Sequence, residues 1–164
     1  MCNRFHAEYH VFDIITDLLS NGRSSRFIQT LVQEKKLFTS IDAYISGSLD
    51  EGLLHITGKP ASGITLEQAE EAVWQELDKL KTIPVAEEEL EKVKNRYESE
   101  QIFNNINYLN VATNLAFFEL LGHAEYINLE VGKYRSVTVG QIQDTACRTF
   151  IPENCNILYY KAIK

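Results

Sequence analysis

A chain of 164 residues is long enough to bury a core of its own and fits one domain, 1–164. Its 45% hydrophobic and 24% charged residues are ordinary globular proportions, which exclude a long disordered tract. A net charge of −7 with no basic stripe excludes a phosphate-binding surface for nucleic acid.

No apolar run approaches the roughly 18 residues that a membrane-spanning helix needs. The first six residues, Met1 to His6, hold no apolar stretch of signal-peptide length, which is informative only if Met1 is the natural start. A soluble protein is expected, with cytoplasm and periplasm both open. Cys2, Cys147 and Cys155 are odd in number and lack metal-ligand spacing, so free thiols are expected, two of them packed near a C-terminal strand.

Residues Tyr9 to Ser20 read as a helix, with Val11, Phe12, Ile14, Ile15, Leu18 and Leu19 on one broad apolar face. Asn21-Gly22 stops it, and Ser24 is placed to cap a second helix running to Lys35 with Phe27 and Leu31 inward. The period then falls to two. Phe38 to Ser48 alternates, Asp50 to Gly52 turns, and Leu53 to Pro60 returns, which predicts a β-hairpin. Thr65 with Gln68 forms a capping box ahead of Leu66, Ala69, Val73, Leu77 and Leu80 at helical spacing. Further helices are expected from Glu87 to about Asn105, from Asn107 to Leu121, from Ile127 to Tyr134, and from Thr138 to Phe150 behind a second capping box with Gln141. Asn156 to Ala162 reads as a last strand. The acidic runs at Glu67–Glu71 and Glu87–Glu91 read as solvated helix faces. The order predicts an α+β fold: an antiparallel β-sheet covered by helices, thin at three strands and completed by a strand from outside.

Few residues suggest chemistry. His6 and His10 are four apart, the spacing at which one helical face can hold zinc. Helical zinc motifs place a glutamate second (H-E-x-x-H) or fourth (H-x-x-E-H). Here Glu8 is third, roughly 100° from either direction, and no third ligand follows, so both are read as partly exposed N-terminal histidines. Gly22-Arg23-Ser24-Ser25-Arg26 lacks phosphate-loop spacing, and either arginine could form an internal ion pair. Cys147 and Cys155 have no adjacent histidine and no nucleophile elbow occurs. Trp74, Tyr97, Phe103, Tyr108, Phe117 and Phe118 read as core aromatics. No catalytic, substrate-binding or metal residue is assigned.

Three stretches carry a resemblance: Asp17 to Leu37 with Gly22-Arg23-Ser24-Ser25-Arg26-Phe27 at its centre, Gly52 to Gly58, and Pro84 to Lys94 with Glu87-Glu88-Glu89-Leu90. In this order and spacing they resemble the helix–glycine turn–"SSRL"–helix, strand and "E-E-L" helix of the M16 zinc peptidases (pitrilysin, insulin-degrading enzyme, mitochondrial processing peptidase and the core proteins of the bc1 complex). The resemblance implies a LuxS/MPP-like metallohydrolase fold and zinc bound at H-x-x-E-H in another domain. That motif is missing here, so this chain is similar to the second, inactive, C-terminal-type domain. No cofactor is implied in this chain. The implied partners are a catalytic M16 domain, in the same chain or in a partner subunit, and a peptide substrate. The implied role is to enclose peptide and assemble the enzyme; the alternative is a structural subunit with the fold and no proteolysis. Active relatives hold substrate with an arginine and a tyrosine whose positions correspond to Val32 and Thr39. Neither can serve. The junction Met1-Cys2-Asn3-Arg4 is similar to the family's strand-to-helix junction, which implies a fragment of a longer multi-domain chain.

Overall fold

The computed structural model describes residues 1–47 and 49–161. Helix α1, Tyr9–Ser20, forms the spine, with all six predicted apolar positions buried. Gly22 follows at φ +97°, the left-handed region that favours glycine. A Cβ there would lie 2.8 Å from the Arg96 guanidinium, which donates to the Asn21 carbonyl at 2.7 Å.

The second helical segment contains a π-helix over Ile28–Glu34, whose bonds skip five residues. It ends with Lys36 at φ +54° and the Leu37 amide bonded back to the Leu31 carbonyl six residues earlier, one residue more than in an ordinary Schellman stop. Ser24 does not cap it. The Ser24 hydroxyl and carbonyl instead accept from Lys92 on a distant helix.

Strands β1, Phe38–Ile45, and β2, Leu54–Pro60, pair antiparallel with Ala43 opposite Ile56. β1 stops at Ile45, short of the predicted end; Ser48 lies outside the described residues. Ile41 and Ala43 face the core while Ser40, Asp42 and Tyr44 face out, as the period-two pattern predicts. Gly58 sits against the buried Phe38 ring: an added Cβ would stand 2.6 Å from Cε1. Gly58→Val is therefore expected to lower stability by about 1–3 kcal/mol, as overpacking does, read as a lower urea midpoint at unchanged slope.

The outer edge of β1 is closed from within. The Ser20 hydroxyl at the end of α1 accepts from the Ala43 amide at 2.9 Å and lies 3.1 Å from the Ala43 carbonyl. Those backbone groups therefore point away from β2, and helix α1 blunts that edge. No strand flanks β2 on its other side among the described residues.

Four longer helices complete the framework: α2 (Leu66–Thr82), α3 (Glu87–Asn104), α4 (Tyr108–Leu120) and, after a short α5 (Glu130–Ser136), α6 (Val139–Thr149). Both predicted capping boxes form, at Thr65/Gln68 and Thr138/Gln141. The helix predicted at Ile127–Tyr134 is two elements, a 3₁₀ stretch Ala124–Leu129 and then α5. One core joins α1, the segment that follows it, the hairpin, α2, α3 and α6 through Ile15, Phe27, Ile41, Leu80, Leu90 and Ile142, all buried.

Three further expectations fail in this part of the chain. The last strand does not form: residues 156–161 join no sheet, and Ala162 lies outside the described residues. Among the described residues the sheet therefore has two strands, not three. Phe103 and Tyr108 are not core aromatics; they stand 70% and 90% exposed at the α3–α4 tip, because the chain turns there with nothing packed against it. Cys147 and Cys155 are exposed rather than packed in apolar surroundings.

Candidate functional site

Three places merit functional scrutiny: the histidine pair, the two positions singled out by the resemblance, and a buried polar cluster that the sequence reading missed.

The histidines do not form a pair. α1 starts at Tyr9, so His6 lies in the preceding turns and does not share a helical face with His10. His6 is exposed, and its Nδ1 accepts from the Glu8 amide at 3.2 Å. His10 is not the exposed residue expected but 4% exposed, because the chain ahead of α1 folds back over it and brings Arg4 alongside. No group of three or more histidine, cysteine, aspartate and glutamate side chains suited to a metal occurs among the described residues.

Val32 and Thr39 both sit on backbone irregularities. Val32 lies in the π-helix and packs, half-buried, against the core. Thr39 is the extra residue where the β1–β2 register shifts between Phe38 and Ser40. Its hydroxyl donates to the Lys59 carbonyl at 3.0 Å, across that bulge. π-helices and bulges re-aim side chains and recur at functional sites. Here the backbone devices carry an aliphatic side chain and an occupied hydroxyl, so neither position offers a substrate a free hydrogen-bond donor. The arginine left open as an ion-pair former is Arg26, which holds Glu89 of α3 through both carboxylate oxygens at 2.9 and 2.8 Å.

The buried cluster gathers Arg4, α1, α3 and α5. Glu130, at the start of α5, accepts from Arg4 Nη2 at 2.5 Å and from Lys133 Nζ at 2.8 Å. His10 Nε2 lies 3.2 Å from the same carboxylate and, when protonated, donates to it. The Arg4 guanidinium also lies over the Tyr9 ring, 4.2 Å from its centre. Beneath this, the Tyr134 hydroxyl donates to Asp13, and the Tyr134 ring stacks on Tyr97 and meets His10 edge-on. Burial works to raise the Glu130 carboxyl. Hydrogen bonds from His10 and Lys133 and the Arg4 charge outweigh it and hold the group down at about 2. Asp13 goes the other way: burial pushes it up, against the Tyr134 hydrogen bond.

Asp17, one turn along α1, is pushed up to about 6, chiefly by burial, with the Asn21 side-chain amide as its hydrogen-bond donor. A carboxyl raised from 3.8 weakens the fold at neutral pH and stops doing so once protonated. Asp17→Asn keeps the shape and removes the charge. It is expected to stabilise the protein at pH 7 by about 2 kcal/mol and to change little below pH 4. Denaturation at the two pH values measures the difference.

Beside the cluster opens a cleft of about 380 Å³. Arg4, His6, His10, Glu130 and Lys133 supply its charged or ring-nitrogen groups, and Phe5, Val11, Phe118, Leu121 and Val137 its apolar wall. The sequence does not show it: Arg4 and Glu130 are 126 positions apart, and the junction that contains Arg4 does not point to Glu130.

Comparison with known proteins agrees with this architecture. The family model described as the Peptidase M16 inactive domain matches residues 1–97. No curated protein matches the chain in sequence. Among solved structures, a protease from Helicobacter pylori superimposes with a TM-score of 0.82 at 22% identity, covering 90% of this chain and 36% of that one. The chain thus spans about a third of the length of that relative. The inactive peptidase domain of a candidate zinc protease from Bordetella parapertussis gives 0.81 at 19% identity over 94% of this chain and 84% of that one. A candidate zinc protease from Bordetella pertussis Tohama I gives 0.80 at 20% identity over 94% and 85%. At these identities the structural likeness speaks for the fold, while the family model speaks for descent. The chain belongs to the M16 peptidase family, in its inactive-domain branch.

Proposed function

We propose that this chain is one non-catalytic domain of a longer M16-type zinc metallopeptidase, where it helps to enclose a peptide and to assemble the enzyme. Zinc and the H-x-x-E-H motif belong, in this reading, to a partner domain in the same chain or to a partner subunit. The observation that carries it is the family assignment, with Val32 packed against the core and the Thr39 hydroxyl tied to Lys59 where substrate-holding side chains would stand.

Two surface features support a role in assembly. β2 presents an edge with no flanking strand among the described residues, and the Met1 amino group bonds the Gly52 carbonyl at 2.8 Å just ahead of that strand. An extended segment beside β2 would complete the sheet. At the α3–α4 tip, Ile102, Phe103, Ile106, Tyr108 and Leu109 are each more than 60% exposed, an apolar patch of the kind that marks interaction surfaces.

A second reading, a structural subunit that keeps the fold without proteolysis, draws on the same two residues, since Val32 and Thr39 offer a peptide no hydrogen-bonding grip. The presence of H-x-x-E-H in the flanking or neighbouring reading frame separates the two. Zinc titration with a peptide hydrolysis assay tests both against a metal enzyme. No stoichiometric zinc and no hydrolysis by this chain are expected. One bound zinc, lost in His10→Ala together with a peptidase activity, would overturn both readings.

A further inference from the structure

The cleft beside the buried cluster has an unequal supply of hydrogen-bonding groups. Its one lining carboxylate, Glu130, is already engaged at both oxygens by Arg4, His10 and Lys133. Donors remain. Lys133 is 45% exposed and spends one of its three N–H groups on Glu130. His6 accepts at Nδ1, which leaves an N–H at Nε2. Gln141 uses its oxygen in the capping box of α6, which leaves its amide nitrogen free to donate. Two cations against one anion give the cleft a local positive excess in a protein of net charge −7. Much of the remaining lining is apolar: Phe5, Val11, Phe118, Leu121 and Val137. A volume of about 380 Å³ suits one or two side chains of a peptide.

We infer that this cleft binds an apolar peptide end through its terminal carboxylate, with Lys133 meeting the charge and Phe118 and Val137 meeting the last side chain. An amide would offer these donors only a neutral carbonyl, and a cation would meet a positive field, so the chemistry selects an anion on an apolar body. The inference stands on the cleft's own groups and needs no catalytic partner.

The test is titration of the 164-residue chain, followed by amide chemical shifts, with acetyl-Ala-Leu-Phe bearing a free carboxylate, the same peptide as its C-terminal amide, and octanoate. The free acid is expected to bind about tenfold tighter than the amide, the worth of one charge-assisted hydrogen bond, with shifts at Val11, Phe118 and Val137. Lys133→Met is expected to erase that preference while leaving the thermal melt within a few degrees of the parent. Equal affinity for acid and amide, no binding at millimolar concentration, or a preference that survives Lys133→Met overturns the inference. Octanoate binding in the absence of peptide binding also overturns it, because the ligand would then be an acyl anion rather than a peptide.

Discussion

Glu130→Ala is expected to lower stability by about 3–5 kcal/mol, the cost of leaving buried charge without its partner. Arg4 has a side chain only 10% exposed, and His10 and Lys133 converge on the same carboxylate. Removing that carboxylate leaves a guanidinium with no counter-charge among those partners. Glu130→Gln keeps the shape and one oxygen acceptor, so it is expected to cost less than alanine. The wild type carries a matching pH signature. Glu130 has an ordinary value of 4.5 and lies at about 2 in the fold. Its stabilisation is complete above 4.5 and is lost as pH falls from there to about 2. At roughly 1.4 kcal/mol per pH unit the loss amounts to about 3–4 kcal/mol. Asp17 works in the opposite sense over the interval from about 6 down to 3.8, so these two groups together place greatest stability in the overlap of the two intervals, near pH 4. A stability curve in which Glu130→Ala retained the acid-side loss would show that another carboxyl is responsible.

Phe27→Ala is expected to cost about 3–5 kcal/mol, the range for emptying a buried aromatic site. Phe27 is fully buried, at the entry to the helical segment that leads through the π-helix into β1, and it belongs to the single core. Against a typical domain stability of about 5–15 kcal/mol, such a loss removes between about a fifth and nearly all of it. Phe27→Leu, the residue of the family's "SSRL" motif at this position, is expected to cost about 1 kcal/mol. Chemical denaturation of both variants measures the contrast, and equal costs would mean that the ring is not what fills the site.

The parts of this fold that were readable in sequence are those set by local rules. α1 follows from a 3.6-residue apolar stripe, α2 and α6 from their capping boxes, and the hairpin from strict alternation around Ile41 and Ala43. What was not readable depends on distant partners. The π character of Ile28–Glu34 changes a hydrogen-bond register without changing which residues are apolar, so periodicity does not report it. Asn156 to Tyr160 has strand composition, but a strand exists only beside another, and none pairs with it. Phe103 and Tyr108 fall on predicted helix faces, whereas exposure at a helix tip is decided by what packs there. The Arg4–Glu130 contact spans most of the chain and combines residue types that by themselves read as surface. The histidine pair failed through one local fact: α1 begins at Tyr9, three residues after His6.

The proposed role of this domain is enclosure and assembly, with the chemistry left to another domain. Peptide hydrolysis by the H-x-x-E-H-bearing domain of the same chain or a neighbouring gene, assayed with and without this domain under saturating zinc, tests it most directly. The expected result is no turnover by this chain alone and a rise in kcat/KM of the catalytic domain when the two are combined. Turnover by this chain alone, or a catalytic domain indifferent to its presence, would contradict the claim.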